Sequence, residues 1–359
     1  MNSFTLLIKP AAGLCNMRCS YCFYRAASEP RENRIMTQET VDVLIEKIRA
    51  YRPASLSVLF QGGEPLLAGL PFFKAFVKKV QEAVRCPVHY ALQTNGLLLD
   101  DACAAFFREH GFLIGLSLDG DRRTNDRYRL DKNGRSTFAR VLTAAETLRR
   151  HGVDFNILSV IDDKNAAEFE TTYAFFKAQG FDCLQCIPCV DEGDGVSLSA
   201  DAYEAFLKKC FDLWYADFQN GRYVSIRHID NYIGVLLGHP PENCAMCGIC
   251  GNYFVVEANG DLYPCDFYCK AAYRLGSVFD DAPFEANETQ RRFVEASRVI
   301  HAHCKTCRYY ALCRGGCRRD RIDGFTKNQY CTAYCNFFEY AADRMVQAAK
   351  VILAQENRA

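Results

Sequence analysis

The stretch FTLLIKPAAGLCNMRCSYCFYR, residues 4–25, decides the fold, because an apolar run is followed there by three closely spaced cysteines. Residues 4–9 have the length and apolar character of a buried strand. Cys15, Cys19 and Cys22 follow with the spacing C-x3-C-x2-C. Three thiolates are one fewer than a closed zinc site or an ordinary four-iron cluster needs. A metal site in this loop therefore takes its fourth ligand from elsewhere or leaves one metal position open.

Short apolar runs alternate with amphipathic segments throughout the first half of the chain. This alternation predicts repeated βα units with right-handed crossovers and a parallel sheet. Six units could close most of a barrel or form an open sheet, and the pattern alone does not distinguish the two. The predicted strands are 4–9, 56–60, 88–93, 112–118, 153–160 and 183–190, and the predicted helices include 38–50, 71–84 and 137–150.

Polar and glycine residues follow several of these strands directly. They are QGGEP at 61–65, TNG at 94–96 and DG at 119–120, and the cysteine loop follows the first strand in the same way. Turn chemistry would explain any one of these motifs. Because the carboxyl ends of barrel strands carry the active site, their shared position favours a function.

The composition excludes several functional classes and leaves the cysteines to be explained. Lys plus Arg and Asp plus Glu both number 43 in 359 residues, so no charge excess indicates nucleic acid or an anionic membrane as a partner. No apolar run spans a bilayer, and the N-terminus does not read as a signal peptide. We therefore expect a cytoplasmic protein. In that reducing compartment, 20 cysteines favour metal ligands over a disulfide framework.

The alternation of predicted strands and helices ends near residue 225, after a predicted helix at 199–219. Residues 252–267 predict a hairpin that turns at Asn259-Gly260, and residues 335–354 predict a C-terminal amphipathic helix. Eleven cysteines lie after residue 240. We place a domain boundary near residue 235, which predicts domains 1–235 and 236–359.

The late cysteines fall into two groups whose spacing suits either zinc or iron–sulfur. Zinc could hold such a strand-poor region together, and four thiolates do not by themselves distinguish the two metals. One group is Cys244, Cys247, Cys250 and Cys265, and the other is Cys304, Cys307, Cys313, Cys317 and Cys331.

Taken together, these motifs resemble the radical S-adenosylmethionine (SAM) enzymes. CNMRCSYC resembles the triplet that holds their open four-iron cluster, and GGEP at 62–65 resembles the motif for the SAM amino group. The C-x2-C-x5-C-x3-C run resembles the SPASM auxiliary-cluster domain. LIKPAAGLCNMRCSYCFY, FQGGEP, LQTNG, YPCDFY and CRGGCRR resemble, more closely, the anaerobic sulfatase-maturating enzymes. The resemblance implies an α/β fold, a partial (β/α)6 TIM-like barrel of the radical SAM type followed by a Cys-rich SPASM domain and a C-terminal helix.

The resemblance implies SAM and three [4Fe-4S] clusters as cofactors. Nine cysteines are then spare, and small apolar filler is the default interpretation for them. Two of the nine, Cys247 and Cys335, lie close enough in sequence to ligands to replace one. The implied ligands are Cys15, Cys19 and Cys22 for the SAM cluster, Cys244, Cys250, Cys265 and Cys317 for one auxiliary cluster, and Cys304, Cys307, Cys313 and Cys331 for the other.

The resemblance also implies roles for other side chains. Asp266 is the candidate general base, with a hydrogen-bonded turn as the alternative interpretation. The alternative interpretation of Arg129 is a solvated charge on a loop. The alternative interpretation of Val190 is a strand residue that packs in the core. Candidate SAM-binding residues are Tyr24, Gly62, Gly63, Glu64, Ser117, Arg129 and Val190, and candidate substrate residues are Tyr24 and Gln61.

The implied activity is oxidation of a sulfatase Cys or Ser to Cα-formylglycine, after a 5'-deoxyadenosyl radical takes hydrogen from Cβ. Implied partners are an unfolded or nascent sulfatase with a C/S-x-P/A-x-R motif and an electron donor such as flavodoxin or ferredoxin, and we expect a monomer. One alternative is a SPASM maturase that forms thioether or carbon–carbon crosslinks in a ribosomal peptide. Such maturases often carry an N-terminal leader-binding domain, for which the early first strand leaves no room. A zinc-rich scaffold is the other alternative, and it does not explain the triplet followed by GGEP.

Overall fold

The computed structural model describes residues 3–26, 33–189, 195–251, 253–281, 284, 287–322 and 326–356. Strands and helices alternate up to residue 236, as the apolar periodicity predicts. In chain order the elements are β1 (Ser3–Ile8), α1 (Phe23–Ala26), α2 (Gln38–Tyr51), β2 (Ser55–Phe60), α3 (Leu70–Ala83), β3 (Val88–Thr94), α4 (Asp101–Glu109), β4 (Leu113–Ser117), α5 (Arg122–Asp126), α6 (Phe138–Arg150), β5 (Phe155–Ile161), α7 (Asp163–Ala167), α8 (Phe169–Ala178), β6 (Cys183–Pro188), α9 (Ala200–Gln219), β7 (Ser225–Ile226), α10 (Arg227–Leu236), β8 (Phe254–Val256), β9 (Asp261–Tyr263), β10 (Gly276–Ser277), α11 (Glu288–Arg298), α12 (Tyr310–Cys313), β11 (Arg321–Ile322), β12 (Lys327–Asn328) and α13 (Cys331–Glu356).

The chain divides into two compact units, each made of several segments. The first unit comprises residues 1–118, 125–156 and 251–294, and the second comprises residues 119–124, 157–250 and 295–359. These units are defined by the density of contacts within them and not by continuous stretches of sequence. The domains expected from the sequence, 1–235 and 236–359, therefore stay a prediction.

The first unit is built on a sheet in the order β10-β9-β8-β1-β2-β3-β4. Strands β1 to β4 are parallel neighbours, and β1 also pairs in parallel with β8. The predicted hairpin is formed by β8 and β9, which are antiparallel. Gly260 in its turn has φ +89°, a conformation that glycine adopts without strain. The central strand β1 therefore lies between an early strand and a late one.

Apolar side chains from the strands and helices fill the core of the first unit. Phe60 on β2 packs edge-on against Phe73 and Phe76 on α3, with both ring centroids 5.1 Å away. All three rings are almost completely buried. Burial alternates along β2, so every second side chain of this strand faces the core. Packing against the core therefore fixes which residues of β2 point inward and which point outward.

The second unit contains the parallel strands β5-β6-β7 and the two longest helices, α9 and α13. Trp214 on α9 is fully buried, and its indole N–H donates to the carbonyl of Val224 at 3.0 Å. The C-terminal helix is confirmed but begins at Cys331, four residues earlier than predicted. Within the described residues, no helix is long and apolar enough to cross a membrane.

Candidate active site and metal centres

The loop with three cysteines joins β1 to α1, and a second loop of the first unit holds it in place. The backbone N–H of Arg18 donates to the carbonyl of Leu130 at 2.8 Å, and that of Ser20 donates to Tyr128 at 3.3 Å. All three cysteines are half-buried. Their thiols therefore lie in a loop whose backbone is fixed by hydrogen bonds rather than in a free segment.

The surroundings of Cys15 fit a metal-bound thiolate. The backbone N–H of Met17 lies 3.4 Å from its Sγ, and the side-chain amide of Asn95 lies 3.8 Å from it. Burial raises the pKa of the Cys15 thiol to about 11, so a thiolate forms here when a metal binds it. The two N–H groups then donate to the ligand sulfur, as outer hydrogen bonds do in iron–sulfur sites.

The GGEP motif lies against the backbone of the cysteine loop. The N–H of Gly63 donates to the carbonyl of Ala12 at 2.8 Å, and the N–H of Glu64 donates to Leu14 at 2.7 Å. A Cβ on Gly63 would stand 2.0 Å from the carbonyl oxygen of Leu14. Because only hydrogen fits in that space, Gly63 is required for the close approach of the two segments.

Glu64 joins the ends of β2 and β3 through its buried carboxylate. One oxygen accepts from the hydroxyl of Thr94 at 2.7 Å and the N–H of Leu66 at 3.0 Å, and the other accepts from the N–H of Asn95 at 2.8 Å. Burial raises the pKa of Glu64 to about 7. This carboxylate supports the loop around the cysteines, and its predicted contact with SAM stays a prediction.

Asp266 lies in a buried cluster of charged and polar groups in the first unit. Its Oδ1 accepts from the hydroxyl of Tyr24 at 2.7 Å and forms an ion pair with the ammonium of Lys9. Lys9 is fully buried, 3.3 Å from a carboxylate oxygen of Glu257 and 3.4 Å from the sulfur of Cys269. The ammonium also lies 4.5 Å from the centre of the Tyr24 ring. An ammonium and a hydroxyl therefore contact the same carboxylate oxygen in a buried place.

The residue before Asp266 connects this cluster to a candidate metal ligand. The hydroxyl of Tyr253 lies 3.3 Å from the sulfur of Cys265 and 3.5 Å from the backbone nitrogen of Asp266. Cys265 caps the short turn Asp266–Tyr268, so a thiol and a carboxylate stand on successive residues. The candidate base and a candidate metal ligand are therefore adjacent in the sequence and in this turn.

The remaining predicted pocket residues of the first unit lie near strand ends. Ser117 ends β4 and is buried, and Gln61 follows β2 and is half-buried. Arg129 is also buried, with its guanidinium 5.4 Å from the ring centre of Tyr21, so the solvated loop charge considered for it does not hold. Val190 lies outside the described residues.

The second unit gathers the late thiols around α12 and the start of α13. The thiols of Cys307, Cys313 and Cys331 influence one another electrostatically, as does that of Cys304. Burial raises the pKa of Cys313 to about 11, which again requires a metal to form the thiolate. A ring nitrogen of His303 and the sulfurs of Cys307 and Cys335 lie within 4.8 Å of one another.

The other late cysteines are only partly brought together within one unit. Cys244 is next to Cys247 and Cys250 in the second unit, where Cys317 also lies, whereas Cys265 belongs to the first. Cys247 directs its thiol to the carbonyls of Pro241 and Asn243, both at 3.6 Å. This thiol is therefore bonded to the backbone.

The CLQCIPC stretch does not form a shared metal site in the structure. Cys183 is exposed, whereas Cys189 is buried and donates to the carbonyl of Val196 at 3.2 Å. Cys186 is next to Cys210 of α9. Cys183 and Cys186 have different surroundings, as the two-residue period of a strand predicts for positions i and i+3.

Comparison with known proteins identifies the family. The model of the Radical SAM superfamily matches residues 11–176. A cysteine-type anaerobic sulfatase-maturating enzyme of Clostridium perfringens is 39% identical over 98% of this chain and 100% of its own, and a serine-type enzyme of Klebsiella aerogenes is 33% identical over 93% and 84%. This chain belongs to the anaerobic sulfatase-maturating enzymes.

A solved anaerobic sulfatase-maturating enzyme has the same fold. The structure of native anSMEcpe with bound AdoMet and Cp18Cys peptide matches with a TM-score of 0.92 at 38% identity, covering 98% of this chain and 99% of that one. The radical SAM partial barrel with a Cys-rich C-terminal region, expected from the sequence, is therefore confirmed. Radical SAM enzymes use SAM and a [4Fe-4S] cluster, and the donors around Cys15 fit that cluster.

Four residues of the Asp266 cluster were not singled out in the sequence. They are Lys9, Tyr253, Glu257 and Cys269, and some of their contacts join positions more than 250 residues apart. One signal was available, since Lys9 ends an apolar run that otherwise reads as a buried strand. A charge in such a run requires a buried partner.

Proposed function

We propose that this protein oxidises a cysteine of a sulfatase to Cα-formylglycine. The observation that carries the proposal is the buried Asp266 carboxylate, which is held by Tyr24 and Lys9 in the same compact unit as the cysteine triplet. Membership of the sulfatase-maturating family supports it. The cysteine-type relative from Clostridium perfringens is more similar to this chain than the serine-type relative from Klebsiella aerogenes, which favours cysteine as the substrate.

The proposal includes three [4Fe-4S] clusters with the ligand sets given by the sequence. Cys15, Cys19 and Cys22 would hold the cluster that binds SAM, and the two late cysteine groups would hold the others. When bound, SAM and its cluster supply a 5'-deoxyadenosyl radical that takes a hydrogen atom from Cβ of the substrate. Gly62, Gly63, Glu64, Ser117, Arg129 and Val190 are proposed to contribute to the SAM pocket.

Asp266 is proposed to act as the general base. Conversion of the thiol to a thioaldehyde removes one hydrogen atom, which the radical would take, one proton, which Asp266 would take, and one electron, which the proposed cluster of Cys265 would accept. Water then replaces the sulfur, which leaves as hydrogen sulfide, to give the aldehyde. The Lys9 ammonium and the Tyr24 hydroxyl both contact Oδ1 of Asp266 and hold the carboxylate in position. A thiol loses its proton more readily than a hydroxyl does, which agrees with cysteine as the preferred substrate.

The remaining assignments concern the substrate and partners. Tyr24 and Gln61 are proposed to contact the reacting residue. The substrate would be an unfolded or nascent sulfatase segment with a C-x-P/A-x-R motif, and a flavodoxin or ferredoxin would supply electrons. A monomer in the cytoplasm remains our expectation from the sequence.

A peptide assay tests the proposed function. The anaerobically reconstituted protein would be incubated with SAM, reductant and peptides that carry C-x-P-x-R or S-x-P-x-R, and mass spectrometry would measure the aldehyde. We expect aldehyde from the cysteine peptide together with 5'-deoxyadenosine, and a slower reaction of the serine peptide. Release of 5'-deoxyadenosine without aldehyde from either peptide would instead favour a crosslinking maturase.

Replacement of the base tests its role in the same assay. Asp266→Asn should still cleave SAM but should form formylglycine roughly 100- to 10,000-fold more slowly, the usual contribution of a general base. Asp261→Asn is a matched control, since that carboxylate lies on the hairpin strand β9 of the same unit and pairs with Arg274. Full activity of Asp266→Asn would exclude Asp266 as the base.

A further inference from the structure

The proposed function gives no part in the reaction to the TNG motif at 94–96, which lies at the end of β3. Two of its three residues have a structural explanation. The hydroxyl of Thr94 donates to a carboxylate oxygen of Glu64 at 2.7 Å, and Gly96 has φ +77°. A Cβ on Gly96 would also stand 2.7 Å from Cδ1 of Leu116, so this turn requires glycine. The middle residue, Asn95, is left to be explained.

The side chain of Asn95 is held in one orientation. Its Oδ1 accepts from the backbone N–H of Leu97 at 3.0 Å, and its Nδ2 donates to Oδ1 of Asn16 at 2.7 Å. The reversed amide would place an NH2 group against the N–H of Leu97, so the hydrogen bonds distinguish the oxygen from the nitrogen. Asn95 is only 8% exposed, and its backbone N–H donates to Glu64 at 2.8 Å. The amide is therefore fixed before any ligand binds.

The amide nitrogen of Asn95 also reaches a proposed cluster ligand. Nδ2 carries two hydrogens, and the bond to Asn16 uses one of them. The same Nδ2 lies 3.8 Å from Sγ of Cys15, within reach of an N–H contact to sulfur. An ionised acceptor takes a stronger hydrogen bond than a neutral one, so a metal-bound thiolate at Cys15 would strengthen this contact.

We propose that Asn95 donates a hydrogen bond to the ligand sulfur of Cys15 and thereby raises the reduction potential of the cluster that binds SAM. The inference rests on the proposed function, in which Cys15 holds that cluster. Reduction by the external electron donor adds one negative charge, which the ligand sulfurs share. A donated hydrogen bond stabilises this charge. Asn95 is a positioning residue that acts through Cys15.

The test is a potentiometric titration of the full-length, reconstituted protein, monitored by electron paramagnetic resonance. The signal that disappears when Cys15, Cys19 and Cys22 are all replaced by Ala belongs to the SAM cluster. Asn95→Ala should retain the iron content of wild type and make reduction of that cluster about tenfold less favourable, a shift of about 59 mV to more negative potential for one electron.

Asn95→Asp tests the same contact in a side chain of unchanged shape. It retains an oxygen for the N–H of Leu97 but places a second, negatively charged oxygen where Nδ2 stands. Its potential should therefore be more negative than that of Asn95→Ala. This variant keeps the inference testable even if Asn95→Ala does not fold.

Asn16→Ala is the matched control, because a purely structural role of Asn95 would act through its bond to Asn16. In this variant Leu97 still holds the amide of Asn95, so the potential should stay close to that of wild type. Equal shifts in Asn16→Ala and Asn95→Ala would show that Asn95 only anchors the cysteine loop and would overturn the inference. Unchanged potentials in both Asn95 variants, or loss of the SAM-cluster signal from both, would overturn it as well.

The failure of the inference is distinguishable from that of the proposed function. If the triple cysteine variant retained every signal of wild type, the assignment of the SAM cluster itself would be wrong. Aldehyde from the cysteine peptide with wild type, together with no shift in either Asn95 variant, would refute the role of Asn95 alone. A shift in Asn95→Ala with wild type that forms no aldehyde would refute the proposed substrate and support the role of Asn95.

Discussion

At the scale of single residues, the buried ammonium of Lys9 balances the charge of two buried carboxylates. Lys9 is the cation shared by Asp266 and Glu257, and both carboxylates are almost wholly enclosed. A buried ion pair is weak support for stability as a whole, but loss of one partner leaves uncompensated charge in a poorly solvated place. The residue therefore links the stability of the first unit to the charge state of the proposed base.

Lys9→Met should lower the stability of the protein by about 3–5 kcal/mol, because two carboxylates then share a buried site without a cation. Urea unfolding under anaerobic conditions, followed by circular dichroism, measures the change in midpoint. The double variant Lys9→Met/Glu257→Gln removes one of the two charges and should recover part of the loss. Equal midpoints for wild type and Lys9→Met would mean that the ion pair contributes little.

At the scale of elements, two segments meet too closely for any side chain to intervene. Gly63 lies directly against the carbonyl of Leu14, so the backbone of the turn after β2 is in direct contact with the backbone of the cysteine loop. Gly63→Ala should cost about 1–3 kcal/mol through displacement of that loop. Iron and SAM bound per chain should both fall, as measured by iron analysis and equilibrium binding.

Gly234→Ala is the control for this replacement. Gly234 lies in α10, and a Cβ there would meet only the Cβ of His239, at 3.9 Å, an ordinary contact. Alanine also favours a helix more than glycine does. The iron content of Gly234→Ala should therefore equal that of wild type. If Gly63→Ala also bound iron and SAM normally, the cysteine loop would tolerate the displacement and the prediction would be wrong.

Helix α10 also carries a group that should make stability depend on pH. His228 lies 3.9 Å from the sulfur of Cys210, and burial lowers its pKa from 6.5 to about 4. Between these two values the unfolded chain binds a proton that the folded chain does not, so stability falls as pH falls from 6.5 toward 4. The loss is at most about 3 kcal/mol, and less because His228 is only half-buried.

His228→Gln removes this titration. Anaerobic urea midpoints at pH 7.5 and 5.0 should differ less in the variant than in wild type, whereas acid damage to the clusters would affect both proteins alike. The same drop in midpoint for both would show that His228 does not contribute to the acid sensitivity.

The elements also show what the sequence can and cannot predict. Strands β1 to β6 begin and end within a few residues of their predicted limits, because their apolar runs are short, local and bounded by polar residues. Cys15 could be placed in a metal site since ligand spacing is local as well. The partners of Asp266 could not be deduced, because the contact with Lys9 joins residues 257 positions apart and leaves no periodic pattern.

At the scale of the whole molecule, regular structure is unevenly distributed along the chain. The described residues between 299 and 330, which are 299–322 and 326–330, contain one four-residue helix, two strands of two residues and short 3-10 turns, and they include four of the late cysteines. Backbone with so few regular hydrogen bonds depends on other links for its order. Bound metal can supply such links, because its binding free energy adds to folding.

Removal of the proposed clusters should therefore expose this region before the barrel strands. After oxidation and chelation of the clusters, trypsin should cut between residues 299 and 330 at least about 10-fold faster than in the loaded protein, a change that corresponds to roughly 1.4 kcal/mol of local stability. Mass spectrometry of the fragments at early times locates the cuts. Equal rates with and without clusters would show that protein contacts alone order this segment.

Because β1 pairs with β8, the central strand of the first unit gains one of its neighbours only late in translation. β1 and the cysteine triplet leave the ribosome first, whereas β8 and Asp266 follow roughly 240 residues later, about 10–50 s at ordinary translation rates. Throughout that interval one edge of β1 lacks its final neighbour and can pair with other chains. A nascent or prematurely terminated chain would also carry the sulfurs proposed to hold the radical-generating cluster without the carboxylate proposed to receive the proton. Production of this protein should therefore benefit from chaperones that shield the unfinished edge and from proteases that remove incomplete chains.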